Sequence, residues 1–74
     1  MNNLRDKKLL IDFGNNLREL RIRKNLSLEA LANEADIEIS QVYRMEKGKV
    51  NPTLSTLIAV SKALNIEIQE LIVL

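Results

Sequence analysis

The sequence contains no cysteine and no histidine, and it has only two glycines and one proline among 74 residues. The missing cysteine and histidine exclude disulfide bridges and the zinc sites that these residues build. The chain also has no glycine-rich phosphate loop, and it lacks the side chains that most often serve as nucleophile or general base. Carboxylates such as Glu29 and Glu34 are more typical of a solvated helix face than of a catalytic pair. We therefore expect no enzyme activity, no metal and no cofactor.

Aromatic residues are scarce, and the chain is short. A domain of this size buries only about 60% of its unfolded surface. Without disulfides or a metal, its stability has to come from efficient helix packing or from a partner copy. We expect one domain over residues 1–74. Residues 1–8 would form an extension that can continue the first helix, and residues 66–74 a short C-terminal helix.

Long hydrophobic runs are also missing. No apolar segment approaches the ~18 residues that a membrane span needs. The opening stretch Met1–Lys8 is polar and charged, which is unlike a secretory signal. The absence of cysteine is consistent with a reducing compartment. We expect a cytoplasmic protein.

Charge is distributed unevenly, although the net charge is only +1. Residues 1–24 carry seven basic and three acidic side chains, whereas residues 25–48 carry two basic and five acidic ones. A non-specific DNA coat would be basic throughout, because phosphate neutralisation supplies its affinity. The distribution fits either a site-specific DNA reader with few phosphate contacts or a protein that does not bind DNA.

What the sequence does contain is helical periodicity. Leu10, Phe13, Leu17 and Leu20 recur at spacings of three and four, which places them on one helix face. Strand-like alternation is confined to residues 66–68, so the fold class is all-α. The predicted helices span about residues 6–24, 27–35, 38–47, 53–64 and 66–74.

Polar residues and glycine mark the ends of these helices. Ser27 and Thr53 are predicted N-caps. Asn25 and Asp36 accept the left-handed conformation that ends a helix, and Gly48 is a typical C-terminal glycine. Gly14 lies inside the first helix, where the absence of a side chain would allow another helix to cross closely.

The second and third helices have the pattern of a helix-turn-helix unit. That unit needs a small residue where its helices cross, a left-handed residue in its turn and two inward apolar residues in its second helix. Ala32, Asp36, Val42 and Met45 meet these needs at spacings of four, six and three. In such a unit the second helix enters the DNA major groove.

From about Phe13 to Leu71 the sequence resembles the Cro/repressor-type helix-turn-helix family, also called the Xre family. The matching stretches occur in the family's order and spacing. They are residues 17–21 (LRELR), 26–32 (LSLEALA), 45–48 (MEKG), 51–54 (NPTL) and 57–64 (LIAVSKAL). The resemblance implies a compact, five-helix, lambda-repressor-like domain that binds double-stranded DNA at palindromic operators as a homodimer and regulates transcription.

The resemblance also implies roles for individual residues. Arg44 is the strongest candidate for base recognition, because a guanidinium can bind guanine O6 and N7 together. The implied base contacts are Ile39, Ser40, Gln41 and Arg44. The implied backbone contacts are Ser27, Tyr43, Lys47, Lys49, Asn51 and Thr53. An ion pair between Arg21 and Glu46 is expected to fix the third helix against the first.

Two alternatives stay open at this point. The same helical fold could serve as a protein-interaction module or an antitoxin-type partner, which Glu38 and the acidic middle segment favour. The apolar tail either forms a dimer surface through Ile68, Leu71, Ile72, Val73 and Leu74, or only covers the base of its own domain.

Overall fold

The structure is a computed structural model that describes residues 3–73, with side chains from residue 6 onward. Five α-helices account for its secondary structure, and no strand occurs within residues 3–73, so the all-α prediction is confirmed. The helices are α1 (Asn3–Arg23), α2 (Leu28–Ala35), α3 (Ile39–Glu46), α4 (Leu54–Leu64) and α5 (Ile68–Leu71). The first helix already begins at Asn3.

The predicted caps and helix ends are present. The Ser27 hydroxyl accepts a hydrogen bond from the Ala30 amide at 3.0 Å, and Thr53 accepts one from the Thr56 amide at 3.2 Å. Asn25, Asp36 and Asn65 all have left-handed backbone conformations, with φ of 59°, 56° and 57°. Asparagine and aspartate tolerate this conformation better than most residues with a side chain. These local signals therefore fix where α2 and α4 begin and end.

The C-terminal helix is shorter than the sequence suggested. It spans only Ile68–Leu71, and Ile72 already has an extended backbone. The Asn16 side chain donates from Nδ2 to the carbonyl oxygens of Glu70 and Leu71, at 3.0 and 2.9 Å. This tertiary contact satisfies two carbonyls at the helix end and fixes α5 against α1.

The core lies between α1, α2, α3 and α4, and α5 closes one side of it. Side chains from all five helices contribute, and most are aliphatic, as expected for a chain with one phenylalanine and one tyrosine. The buried apolar residues are Phe13, Leu17, Leu31, Ala32, Ala35, Val42, Met45, Val60, Leu64 and Leu71.

Gly14 allows α1 and α3 to cross closely. A Cβ atom on Gly14 would lie 2.5 Å from the carbonyl oxygen of Glu46 and 2.6 Å from that of Met45. Nearby, Gly48 has a left-handed φ of 69°, and its Cβ position lies 2.9 Å from the Ile11 backbone. Two glycines thus set how closely α3 and the following turn approach α1.

Within the part of the chain that the structure describes, no helix is both long enough and apolar enough to cross a membrane.

Candidate nucleic-acid interface

The turn between α2 and α3 holds these helices at a fixed angle. Asp36 adopts the left-handed conformation that the turn needs, and the Ile37 amide donates to the Ala32 carbonyl at 3.0 Å. Ala32 is small and buried, so α3 can pack directly over α2. Val42 and Met45 are fully buried on the inward side of α3. The helix-turn-helix pattern found in the sequence therefore folds as such a unit.

An ion pair fixes α3 against α1. Arg21 Nε lies 2.6 Å from Glu46 Oε2, and Arg21 Nη2 lies 3.1 Å from Glu46 Oε1, so the pair is bidentate. Arg21 Nη1 also donates to the Leu26 carbonyl at 2.8 Å. The Arg21 side chain is 12% exposed and that of Glu46 only 4%. The expected Arg21–Glu46 pair is present, and it is a buried contact with specific geometry.

With its inward side fixed, α3 presents its opposite side to solvent. Ile39 and Tyr43 are 45% and 49% exposed, which is high for large apolar or aromatic residues. Ser40 and Arg44 are exposed beside them, and Gln41 is half-buried. The outward face of α3 thus carries a hydroxyl, a guanidinium, an amide and an aliphatic group. These groups match the hydrogen-bonding and methyl groups on base edges.

A cleft of about 380 Å³ runs along one side of this outward face. It separates α3 from the segment that leads into α4. Its polar lining includes three of the predicted base contacts and two of the predicted backbone contacts. The lining residues are Glu38, Ser40, Gln41, Arg44, Val50, Asn51, Pro52 and Thr53.

A second cleft, of about 470 Å³, runs along the other side of α3. Tyr43 and Lys47 line it, and the Lys47 ammonium lies 5.5 Å from the centre of the Tyr43 ring, a cation–π contact. The opposite wall comes from α1 and the start of α2. The lining residues are Ile11, Asn15, Arg18, Arg21, Leu28, Tyr43, Glu46 and Lys47.

Asn15 and Arg18 line this second cleft but were not among the contacts predicted from the sequence. Their signal is weak: with Ile11 they recur at spacings of four and three, which places them on one face of α1. That spacing does not show that α3 lies beside this face of α1.

Two predicted backbone contacts, Ser27 and Lys49, line neither cleft. Both are exposed, and the Ser27 hydroxyl caps α2.

Among the described residues, no group of acidic side chains is arranged to hold a metal ion.

The proposed dimer surface needs a correction at Leu71. This side chain is fully buried in the core of its own chain, because α5 folds back against α1, so it cannot contact a second copy. Ile68 and Ile72 are half-buried, whereas Val73 is 63% exposed. Leu74 lies outside the described residues.

Comparison with known proteins identifies the fold and its relatives. The HTH_3 helix-turn-helix family model matches residues 17–71. The chain is 34% identical over 61 residues to control protein C.BamHI of Bacillus amyloliquefaciens, which covers 81% of this chain and 75% of that protein. It is 32% identical over 62 residues to the transcriptional activator BcrR of Enterococcus faecalis. The match covers 84% of this chain but only 30% of BcrR.

Solved structures agree with these matches. The restriction-modification controller protein C.AhdI from Aeromonas hydrophila superposes with a TM-score of 0.83 at 42% identity, covering 84% of this chain and 94% of that one. An HTH_3 family transcriptional regulator from Vibrio cholerae superposes with a TM-score of 0.84 at 26% identity, covering 89% of this chain and 37% of that one. The chain belongs to the HTH_3 helix-turn-helix family of DNA-binding transcriptional regulators.

Proposed function

We propose that this protein regulates transcription by binding a two-fold symmetric DNA operator as a homodimer, with the outward face of α3 in the major groove. The observation that carries the proposal is the exposed face of α3 with a cleft on each side. An α-helix inserted into the major groove has a sugar-phosphate backbone on either side of it. Each cleft would then receive one of the two backbones.

Base recognition is assigned to the side chains on that face. Arg44 is exposed, and its guanidinium would bind guanine O6 and N7 in a bidentate manner. Ser40 would donate to a base or a phosphate, and Ile39 would pack on a thymine methyl group. Gln41 is half-buried beside them and would contact a neighbouring base.

Backbone contacts would come from the residues along the two clefts. Asn51 and Thr53 on one side, with Tyr43 and Lys47 on the other, supply amide, hydroxyl and ammonium donors. Such contacts position a protein on DNA without reading its sequence. Ser27 and Lys49, which line neither cleft, would make additional phosphate contacts at the margin of the interface.

The second copy is expected to bind through exposed apolar residues of α4 and of the C-terminal tail. Leu54 at 66% exposure and Val73 at 63% are the two most exposed large hydrophobic residues described, and Ile58 follows Leu54 on the same face of α4. Isologous contacts between two copies would cover these apolar side chains and set the spacing of the two α3 helices. Relative to the sequence-based prediction, the dimer surface loses Leu71 and gains Leu54 and Ile58.

Selection from random duplexes with the purified protein tests the proposal. We expect a symmetric consensus with half-sites about one helical turn apart, and binding that weakens steeply as salt rises.

Arg44→Ala should lose on the order of 1–3 kcal/mol of discrimination at one base pair of each half-site. Lys62→Ala, which removes an exposed cation from α4, is the matched control and should leave the consensus unchanged. A protein-interaction module would instead enrich no sequence.

A further inference from the structure

We infer that Asn15 and Arg18 of α1 form a DNA phosphate site together with Lys47, in the 470 Å³ cleft between α1 and α3. This inference deepens the proposed function and depends on it. In this proposal, α1 contacts one of the two sugar-phosphate backbones that flank α3.

The charges that line this cleft favour an anion. Its lining contains the cations Arg18, Arg21 and Lys47 and one carboxylate, Glu46. Arg21 and Glu46 are paired with each other at 2.6 Å, so they neutralise each other. Arg18 and Lys47 remain as two uncompensated positive charges on opposite walls of the cleft.

Arg18 is available for such a contact. Its side chain is exposed, and no carboxylate within residues 6–73 lies within ion-pair distance of it. Its neighbours on α1 differ in this respect, because Glu19 pairs with Arg23 and Lys8 pairs with Asp12. A guanidinium beside an amide such as that of Asn15 is well suited to phosphate oxygens, because both groups donate hydrogen bonds in a plane.

The position of the cleft matches the path of a DNA strand. Tyr43 of α3 and Lys47, which caps the end of α3, lie one turn apart next to the side that carries Ser40 and Arg44. The sugar-phosphate backbone on this side of the major groove would therefore pass between α3 and α1. The remaining lining residues, Ile11 and Leu28, have no polar side-chain group, so the unpaired donors on the wall opposite Tyr43 and Lys47 are those of Asn15 and Arg18.

The salt dependence of operator binding tests the inference. Each phosphate contact contributes about 0.9 to the slope of log affinity against log salt. Arg18→Ala should therefore reduce the magnitude of that slope by about 0.9 per protomer, and lower the affinity at about 0.1 M salt roughly eightfold per contact. The preference for the selected operator over a scrambled duplex should not change, because a phosphate contact carries no sequence information.

Arg23→Ala is the matched control, since Arg23 is an exposed arginine of the same helix that pairs with Glu19 and lies outside the cleft. It should keep the wild-type slope. As a second readout, methylphosphonate can replace each phosphate of the half-site in turn. At one phosphate per half-site, the replacement should weaken binding of the wild type but no longer weaken binding of Arg18→Ala.

The outcomes separate this inference from the proposed function. If the wild type selects an operator and Arg18→Ala binds it with wild-type affinity and slope, the phosphate site is wrong while the regulator proposal stands. If the wild type selects no sequence, both are wrong.

Discussion

At the residue scale, the Arg21–Glu46 pair determines how α3 is held. Both side chains are largely shielded from water, and the guanidinium uses three nitrogen atoms, two toward Glu46 and one toward the Leu26 carbonyl. Removing two charges from water costs about as much as their attraction returns, so a buried pair adds little net stability. Its value lies in geometry, because it permits one orientation of α3 relative to α1.

Breaking the pair should be far more costly than its net contribution suggests. Glu46→Ala leaves a guanidinium buried without its partner, and we expect a loss of about 3–5 kcal/mol in the free energy of unfolding, measured by urea denaturation. Glu19→Ala is the control. It removes a carboxylate that is 66% exposed and 3.7 Å from Arg23, and should change stability by less than about 1 kcal/mol.

A loss of this size approaches the whole stability of a domain of 74 residues. A double variant, Arg21→Met with Glu46→Leu, therefore completes the experiment, because an apolar pair of similar volume should restore most of the lost stability. Equal effects of Glu46→Ala and Glu19→Ala would show that the pair is not effectively buried.

Residues that act through distant partners were the hardest to predict from the sequence. Arg21 and Glu46 are 25 positions apart, and only the family resemblance suggested that they meet. Asn15 and Arg18 were missed because their cleft exists only once α1, α2 and α3 are assembled. Ser27 and Thr53 were predicted correctly as caps, because a cap depends on residues within one turn.

At the scale of helices, the close crossing of α1 and α3 depends on Gly14. Two carbonyl oxygens of α3 approach within 2.6 Å of its Cβ position, so backbone from the neighbouring helix fills the space of a side chain. Helix propensity and packing therefore make opposite predictions for a substitution at this position.

Gly14→Ala should destabilise the protein, although alanine is favoured by about 1 kcal/mol within a helix. The added methyl group would force α3 away from α1 and disturb the Arg21–Glu46 geometry. Over-packing of this kind typically costs about 1–3 kcal/mol, which thermal unfolding would detect. Asn15→Ala, at the next, exposed position, should be neutral or slightly stabilising. A more stable Gly14→Ala variant would contradict the close crossing.

Helix ends were predictable where local chemistry decides them and not where tertiary contacts do. Asn25, Asp36 and Gly48 have the left-handed conformations that their residue types suggested. The length of α5 was overestimated, because a short apolar tail fits a helix or an extended segment equally well. Hydrogen bonds from Asn16, more than 50 positions away, fix its end.

At the scale of the whole molecule, apolar surface remains exposed after the core is complete. Three of the large apolar side chains that stay exposed on their own chain are Leu54, Ile58 and Val73. The apolar tail was predicted to contribute to a dimer surface, but composition could not separate residues that complete the core, such as Leu71, from those that remain exposed.

Placing a charge at either of two of these positions should separate the two copies. We expect Leu54→Asp and Val73→Asp to lower the sedimentation mass toward that of one 8.4 kDa chain, because a charge at an apolar interface would be desolvated without a partner. Ile22→Asp, at a position on α1 that is 48% exposed, is the control and should leave the mass unchanged. An unaltered mass for both test variants would place the dimer surface elsewhere.

The central claim is that α3 reads base edges in the major groove, and dimethyl sulfate footprinting on the selected operator tests it most directly. The reagent methylates guanine N7 in the major groove and adenine N3 in the minor groove. We expect protection of guanine N7 in both half-sites, with that protection lost at one guanine per half-site in Arg44→Ala. Protection confined to adenine N3, with every guanine N7 still reactive in the bound complex, would contradict it.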